Sequence, residues 1–296
     1  MAHCHPHPAR YDRAFGIGIA LNLILVAGES ITGLLVGSLA LLADAGHNLS
    51  DVLALALAWG AARLALRKPT RTHTYGLRRV TILSSFTSAV LLVAAMGAIA
   101  WHAAQRFTNP LPVDNGPVIL VAGIGAVINT ATALLFSRGH KSDLNIRGAF
   151  LHMLADAGIS AGVVVGSLIA LLTGWLWIDP LLSLSIVALV LLGTWPLLRE
   201  SANLTVDAVP RHIDIGAIRG ALLARTGVAE IHDLHVWAMS TTDTALTVHL
   251  IMPEPPRSDQ FLQHTIDSLR EHFGIHHATI QIERQRCRHD RCEPRP

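Results

Sequence analysis

Residues 42–51 have the sequence Leu-Ala-Asp-Ala-Gly-His-Asn-Leu-Ser-Asp, which places acids and an imidazole inside an otherwise apolar run. A second apolar run, at residues 151–156, has the sequence Leu-His-Met-Leu-Ala-Asp. Both contain His-x-x-x-Asp, and residues four apart lie on the same face of a helix. Two facing helices would therefore bring together two imidazoles and two carboxylates, those of His47, Asp51, His152 and Asp156.

These donors suit a divalent cation that accepts tetrahedral nitrogen and oxygen ligands, such as zinc. In a membrane, each Asp near the centre of a helix costs roughly 2.5–3.5 kcal/mol on insertion scales. This cost favours a functional ion site over tolerated polar residues. Asp44 is an alternative ligand, because Leu-Ala-Asp-Ala-Gly occurs at 42–46 and again at 154–158, and in that alignment Asp44 matches Asp156.

The composition indicates a membrane protein. The chain has 296 residues, of which 51% are hydrophobic and 15% charged, which is too apolar for a soluble protein of this length. The net charge of +2 gives no indication of nucleic-acid binding. Cys4, Cys287 and Cys292 lie near the ends, which is no disulfide framework and fits a reducing cytoplasm. Residues 1–10 lack the apolar part of a signal peptide, so we expect the first membrane helix to direct insertion.

Six apolar segments approach or exceed the roughly 20 residues that a membrane helix needs. We predict them at about residues 15–36, 39–64, 80–107, 117–136, 148–172 and 179–198. The basic residues that flank them precede the first segment or follow the second and fourth, whereas Arg106 lies on the other side. By the positive-inside rule, both termini are expected in the cytoplasm.

After about Ser201 the pattern changes to that of a small α+β domain. It predicts helices at 214–226 and 258–273, and strands at 228–239, 245–252 and 277–283, in the order αββαβ. The chain is therefore divided into a His/Cys segment (1–13), a six-helix transmembrane domain (14–200), a cytoplasmic α+β domain (201–284) and a Cys-containing tail (285–296).

Longer stretches around these motifs resemble the cation diffusion facilitator family, and within it the zinc-exporting bacterial branch. The resemblance extends over about residues 12–284, and its most specific stretches are residues 37–51, 144–156, 173–180, 195–201, 232–237 and 273–283. It implies a homodimer with six membrane helices per subunit and a cytoplasmic ferredoxin-like domain, in the bacterial inner membrane. It also implies exchange of a divalent cation for protons at His47, Asp51, His152 and Asp156. Members with His at the first position favour zinc.

A plausible mechanism follows from the donors. The site lies near the bilayer midplane and is closed alternately to each side by movement of the helix bundle. Imidazole titrates near pH 6.5, and metal binding requires its unprotonated form. A proton arriving from the outer side would occupy His47 or His152 as zinc leaves, while Asp51 and Asp156 neutralise the dication. Glu29, a further carboxylate in the first span, is expected to serve helix packing or a proton path.

A second zinc site is predicted in the soluble domain, at His232, His249 and Glu283. They fall on three predicted strands, and family members bind regulatory zinc near these positions. His235, His276 and His277 are alternative ligands, and ordinary surface histidines are the competing interpretation. Gln281 replaces a His found in some relatives, which argues against a binuclear centre.

The two ends of the chain offer a third set of donors. Some relatives bring a His-Cys-His segment of one subunit onto the C-terminal cysteines of the other. This resemblance predicts that the donors at the two ends capture zinc or clamp a dimer; they are His3, Cys4, His5, Cys287 and Cys292. The alternative is a metal-scavenging tail.

The loop after the second span departs from the family pattern. His73 lies among arginines, which repel cations, so no metal site is expected there. Thr81 occupies the position of the usual family Glu. Arg79 is expected either to pair with Asp207 or to bind lipid phosphate.

Four other functions compete with zinc export. A membrane zinc sensor without transport could bind zinc through the predicted metal ligands. A broader efflux protein for cadmium, cobalt and zinc could use the same ligands. A haem-binding electron carrier is disfavoured by the acid beside each His, since haem needs an apolar wall. An enzyme is not expected, because the sequence shows no nucleophile–base pair or open metal site.

Overall fold

The computed structural model describes residues 11–136, 144–256 and 258–286, with side chains for 20–134, 150–256 and 258–286. Within the described residues, the N-terminal two thirds form six long helices. They are α1 (Tyr11–Val36), α2 (Leu39–Ala65), α3 (Val80–Thr108), α4 (Asn115–Phe136), α5 (Leu144–Thr173) and α6 (Ile178–Thr205). The C-terminal part contains α7 (Ile215–Leu223), β1 (Glu230–Ala238), β2 (Thr244–Ile251), α8 (Gln260–Phe273) and β3 (Ile275–Glu283).

Among the described residues, four helices are long and apolar enough to cross a membrane, namely α3, α4, α5 and α6, and α1 has a shorter apolar part at Ala20–Val36. The polar side chains of α2 lower its hydropathy. Large apolar side chains such as Leu35, Leu172 and Leu192 point outward, as expected for a surface solvated by lipid. The predicted fold class, a helical membrane protein with a small α+β domain, is confirmed.

Exposed tryptophans flank an apolar stretch of α6. Trp175 and Trp177 precede the helix, and Trp195 lies 10 residues before its end. Indole rings at such positions are typical of membrane–water interfaces, where one edge is apolar and the other polar.

The chain divides into two compact units. The first contains the residues up to Leu57 and Thr87–Pro196, and the second contains Ala58–Phe86 and the residues from Leu197 onward. In the first unit, a buried apolar core joins α2 to α6; it includes Leu41, Met96, Val118, Val163 and Val187. Helices α2 and α3 approach closely at Gly46, where a Cβ atom would lie only 3.0 Å from Met96 Cε.

A buried polar network closes the turn between α1 and α2. Asp179, at the start of α6, accepts hydrogen bonds from Ser38 Oγ (2.6 Å) and from the Leu39 backbone N–H (2.9 Å). Arg106 Nη1 lies 3.2 Å from the other side of this carboxylate, at Asp179 Oδ2. The carboxylate therefore caps the free N–H groups of α2 and ties three helices together.

In the second unit, the sheet has the order β1-β2-β3, with β1 and β2 antiparallel and β2 and β3 parallel. The parallel pair is connected through α8, as a crossover requires. Leu222 of α7 and Leu269 of α8 are buried against the sheet core. The predicted αββαβ order is confirmed.

Most boundaries in this unit differ from the prediction by one to three residues, and two of the differences have a local cause. Helix α7 ends at Leu223, short of the predicted 226, because the chain turns through Gly227 with a φ of 88°. Strand β3 begins at Ile275 rather than 277, directly after Gly274 caps α8 in the left-handed conformation.

The loop after α2 contacts the soluble domain within the second unit. Arg79 pairs with Asp207, and Arg78 Nη1 lies 3.2 Å from Asp243 Oδ2. The Thr81 hydroxyl, at the position of the usual family Glu, accepts a hydrogen bond of 3.1 Å from the Thr241 backbone N–H. Both ion pairs are half exposed, so each is worth about 0–1 kcal/mol.

Candidate functional site

The antiparallel helices α2 and α5 bring the four predicted donors together. Within each helix the His and Asp lie four residues apart, with nitrogen–oxygen distances of 3.8 Å in α2 and 3.6 Å in α5. Across the pair, His47 Nε2 lies 3.4 Å from Asp156 Oδ1, and His152 Nε2 lies 3.1 Å from Asp51 Oδ2. Each imidazole thus faces the carboxylate of the opposite helix.

These separations match the size of a tetrahedral zinc ion. With bonds of about 2.0–2.2 Å to nitrogen and oxygen, neighbouring donors around such an ion lie about 3.3–3.6 Å apart. Asp51, His152 and Asp156 offer donor atoms that all lie within 4.8 Å of one another. His47 adds a fourth donor from the side of Asp156.

Burial changes along the site. The Asp156 side chain is 1% exposed and that of His47 is 15% exposed, whereas Asp51 and His152 are 30% and 42% exposed. The two more accessible side chains lie at the same end of the helix pair, toward the C-terminus of α2 and the N-terminus of α5. The site is therefore closed at one end and accessible at the other.

Several polar atoms at the site are buried without a hydrogen-bond partner among the described residues. They are His47 Nδ1, Asp51 Oδ2, Asp156 Oδ1 and Asp156 Oδ2. Such groups are costly in a protein interior. A dication between the four side chains would satisfy the carboxylate oxygens.

Asp44, the alternative ligand, takes part in a different contact. Its Oδ2 accepts a hydrogen bond of 2.9 Å from Ser160 Oγ, and the side chain is fully buried. Glu29 is also fully buried and accepts a hydrogen bond of 3.3 Å from Asn48 Nδ2. The sequence analysis did not single out Asn48 or Ser160. The available signal was position, since Asn48 follows His47 and Ser160 lies one helical turn after Asp156.

The soluble domain brings His232, His249 and Glu283 together on adjacent strands. Glu283 Oε2 lies 3.0 Å from His232 Nε2, and Glu283 Oε1 lies 3.0 Å from His249 Nδ1. The imidazole rings meet edge to face at 4.9 Å, and the three side chains offer donor atoms within 4.8 Å of one another.

Hydrogen bonds and charge control the ionisation of Glu283. Burial raises the pKa of its carboxyl, but the hydrogen bonds from His232 and Gln281 and the charges of His232 and His249 together lower the pKa below its ordinary value. Glu283 is therefore a carboxylate at neutral pH, as a metal ligand must be.

A β-bulge shapes one edge of this cluster. The register of β1 against β2 shifts between His232 and His235, and Asp233 has a φ of 52° there. Asp233 Oδ1 consequently lies 2.9 Å from His235 Nε2, and its Oδ2 lies 3.6 Å from His249 Nε2. His276 and His277, the other alternative ligands, are exposed outside the cluster, and His277 packs edge to face against Tyr75.

The third predicted set of donors lies outside the described residues. It comprises His3, Cys4, His5, Cys287 and Cys292.

Ionisable side chains gathered inside a bundle of membrane helices are typical of proteins that move ions. Comparison with known proteins agrees. Residues 16–204 match the cation efflux transmembrane domain, and residues 210–285 match the cytoplasmic domain of cation efflux proteins. The chain belongs to the cation efflux family, which confirms the resemblance found in the sequence. It is an integral membrane transporter and not an enzyme.

Several bacterial relatives align over nearly the whole chain. The zinc transporter ZitB of Pectobacterium atrosepticum is 39% identical, over 99% of this chain and 92% of its own length. The metal cation efflux system protein CzcD of Cupriavidus metallidurans is 34% identical, over 96% of this chain and 90% of its own. The cadmium, cobalt and zinc/H(+)-K(+) antiporter of Bacillus subtilis is 33% identical, over 94% of this chain and 93% of its own.

Proposed function

We propose that this protein exports zinc from the cytoplasm across the bacterial inner membrane in exchange for protons, with His47, Asp51, His152 and Asp156 as the transport site. The observation that carries the proposal is the convergence of these side chains from α2 and α5 at separations of 3.1–3.8 Å. The names of the relatives, which include zinc transporters and a proton-linked antiporter, support the choice of cargo and counter-ion.

The proposed orientation makes the accessible end of the site cytoplasmic. With both termini in the cytoplasm, the C-terminal end of α2 and the N-terminal end of α5 lie on the cytoplasmic side. Asp51 and His152, the more exposed ligands, are on that side, and Asp156 is buried behind them. The conformation described would thus receive zinc from the cytoplasm.

Release on the outer side requires a competitor for the ligands. Imidazole binds zinc only when unprotonated. Protons from a more acidic outer compartment would occupy His47 or His152 and so favour departure of the ion. Alternating exposure of one site then couples the two fluxes.

The proposal is tested by zinc flux in proteoliposomes under an imposed pH gradient. His47→Ala and Asp156→Ala each remove one ligand from a site that needs four, so transport is expected to be lost. His102→Ala is the matched control, because it removes an exposed imidazole from α3 without touching the site. Near-normal flux in both site variants would exclude the assignment, and zinc binding without flux in the wild type would favour the sensor.

The cargo range is tested in the same assay. A two-imidazole site favours zinc, whereas cadmium and cobalt, named for the Bacillus subtilis relative, accept similar ligands. Competition by each of these metals against zinc flux distinguishes a zinc exporter from a broader efflux protein.

The soluble domain is proposed to be regulatory, with zinc bound by His232, His249 and Glu283. Support comes from the three donors within 4.8 Å and from a glutamate that stays ionised. The terminal set His3, Cys4, His5, Cys287 and Cys292 is proposed to capture zinc or clamp a homodimer. Truncation of residues 1–7 should then lower the zinc stoichiometry, and an unchanged stoichiometry would leave the tail without this role.

A further inference from the structure

A second polar pocket lies beside the proposed zinc site, enclosed by α1, α2, α4 and α5. It is formed by four fully buried side chains: Glu29, Asp44, Asn48 and Ser160. The two carboxylates take their hydrogen bonds from Asn48 and Ser160 rather than from the four proposed zinc ligands. The zinc mechanism described above does not use this pocket.

A glycine on α4 makes room for it. A Cβ atom at Gly125 would lie 3.1 Å from Glu29 Oε1 and 3.4 Å from Ser160 Oγ. Both oxygens therefore face the same small space against the bare backbone of α4. Because Ser160 also donates to Asp44, the space connects the two carboxylates.

Three acceptor oxygens in the pocket have no donor. Glu29 Oε1, Asp44 Oδ1 and Asn48 Oδ1 are buried with no hydrogen-bond partner among the described residues. Among the described residues, neither Glu29 nor Asp44 forms an ion pair with a Lys or Arg. Two ionised carboxylates in such surroundings are strongly disfavoured, so we expect at least one of them to bind a cation.

The charged neighbours can be named for each helix in contact. Helix α1 contributes Glu29 itself, and the sequence of α4 contains no titratable side chain. Apart from the two carboxylates themselves, the groups that act on the pair by charge are His47 of α2 and Asp156 of α5. The pocket therefore senses the charge at the zinc site without sharing a ligand with it.

The donor set favours a proton over zinc, calcium and magnesium. All the free atoms are oxygens, and zinc in proteins prefers nitrogen or sulfur among its ligands. Calcium and magnesium require about six or more oxygens, more than this pocket supplies. A proton needs only one carboxylate oxygen and one neighbouring acceptor.

We propose that Glu29, paired with Asp44, is a proton-binding site of the transporter, separate from the zinc ligands; this rests on the proposed zinc–proton exchange. When zinc is absent, the Glu29 carboxyl is protonated, and its O–H group donates a hydrogen bond to an acceptor oxygen of the pocket. When zinc arrives from the cytoplasm, its positive charge stabilises the ionised carboxylate, and Glu29 releases its proton to the cytoplasm. Binding of zinc and binding of this proton are mutually unfavourable, because the two positive charges repel each other.

The test compares two transport modes of the full chain in proteoliposomes. One is zinc flux driven by a pH gradient, and the other is exchange of zinc for zinc at equal pH, which needs the zinc site but no proton. Glu29→Gln is expected to lower pH-driven flux about tenfold or more while zinc–zinc exchange stays within about twofold of wild type. Glu200→Gln, the same change near the end of α6, is the control and should leave both modes unchanged.

Proton release provides a second measurement. Zinc added to the detergent-purified protein in weak buffer should release about one proton fewer per chain from Glu29→Gln than from wild type. Asp44→Asn should likewise lower pH-driven flux while zinc–zinc exchange is retained. If Glu29→Gln fails to assemble, Asp44→Asn provides the test of the proposal. Gly125→Ala, which fills the pocket with a methyl group, should impair pH-driven flux more than exchange.

The possible failures are distinguishable. Wild-type protein without pH-driven zinc flux would refute the proposed exchange itself. If the pH gradient drives zinc flux equally well in wild type, Glu29→Gln and Asp44→Asn, and all three release the same number of protons, the pocket is not a proton site. Equal loss of exchange and pH-driven flux in both variants would also overturn the inference, because it would mean that the pocket only supports the fold.

Discussion

At the scale of single residues, the proposed zinc site combines two types of ligand in a fixed arrangement. Each imidazole of α2 or α5 faces a carboxylate of the other helix at 3.1–3.4 Å. The carboxylates supply charge, and the imidazoles supply the preference for zinc over harder ions. Exchange of one ligand type for the other should therefore alter selectivity before it abolishes transport.

We expect His47→Asp to shift the preference from zinc toward manganese. A third carboxylate makes the donor set harder and more negative, which suits ions that prefer oxygen. The ratio of manganese to zinc flux, measured in the same vesicles, should rise relative to wild type. An unchanged ratio would mean that His47 does not select the cargo.

Zinc binding at the soluble cluster should weaken in acid. Both His232 and His249 must lose their protons to bind zinc, so the affinity should fall as the pH is lowered from 7.5 to 5.5. The lowered pKa of Glu283 keeps its carboxylate ionised over this range, so it adds nothing to the pH dependence.

This prediction is measured by calorimetry in the background of His47→Ala and Asp156→Ala, which removes the proposed transport site. The His249→Ala variant serves as the control and should lose most of the binding at every pH. Constant affinity across the range would exclude the two imidazoles as ligands.

The pairing of His with Asp within α2 and within α5 was predictable because residues four apart on a helix share a face. The cost of acids in a membrane then favoured a site shared by both pairs. Asn48 and Ser160 were not, since their role depends on which faces of α1, α2 and α5 pack together. A spacing pattern describes one helix, whereas a contact between helices depends on the packing of both. Binding of zinc at the four ligands stays a prediction.

At the scale of secondary structure, the start of α2 depends on a carboxylate from a distant helix. Asp179 accepts hydrogen bonds from Ser38 and Leu39 and is paired with Arg106. Removal of this one group leaves the Ser38 hydroxyl and the N-terminus of α2 without their acceptor, and it removes the ion-pair partner of the largely buried Arg106 guanidinium.

Asp179→Ala is therefore expected to destabilise the fold by about 3–5 kcal/mol, the usual cost of breaking a buried ion pair on one side. Asp114→Ala is the matched control; it removes an exposed bond to the Gly116 backbone N–H and should cost about 1 kcal/mol. Thermal unfolding in detergent, followed by tryptophan fluorescence, gives both values. Similar melting temperatures for the two variants would contradict the role given to Asp179.

Helix and strand order was predictable because long periodic segments specify their own type. The bulge in β1 was not, since the adjacent polar residues His232 and Asp233 interrupt the alternation without showing which residue is extra. The extra residue is detected only when β1 is aligned with β2. Without that bulge, His232 and His235 would point to opposite faces of the sheet.

At the scale of the whole molecule, the family match extends over both the membrane part and the soluble domain. We expect two copies of the chain to assemble, as the resemblance to homodimeric transporters implies. Light scattering of the detergent-purified protein should give a protein mass of about twice the 31.8 kDa of one chain.

If the assembly depends on the soluble domain, a variant that ends at residue 205 should lose the doubled mass while retaining its helices. A single-chain mass for the full-length protein would refute the dimer. A double mass for both forms would assign the contact to the membrane helices instead.

The exposed indoles around α6 set the thickness of bilayer in which the protein fits. At a rise of 1.5 Å per residue, Trp177 and Trp195 are about 27 Å apart along the helix axis. This span is close to the hydrocarbon depth of a thin to average bilayer. In vesicles made from longer acyl chains, one indole would be drawn below the headgroups unless the helices straightened or the lipid thinned, so lipid chain length should influence the rate at which the protein works.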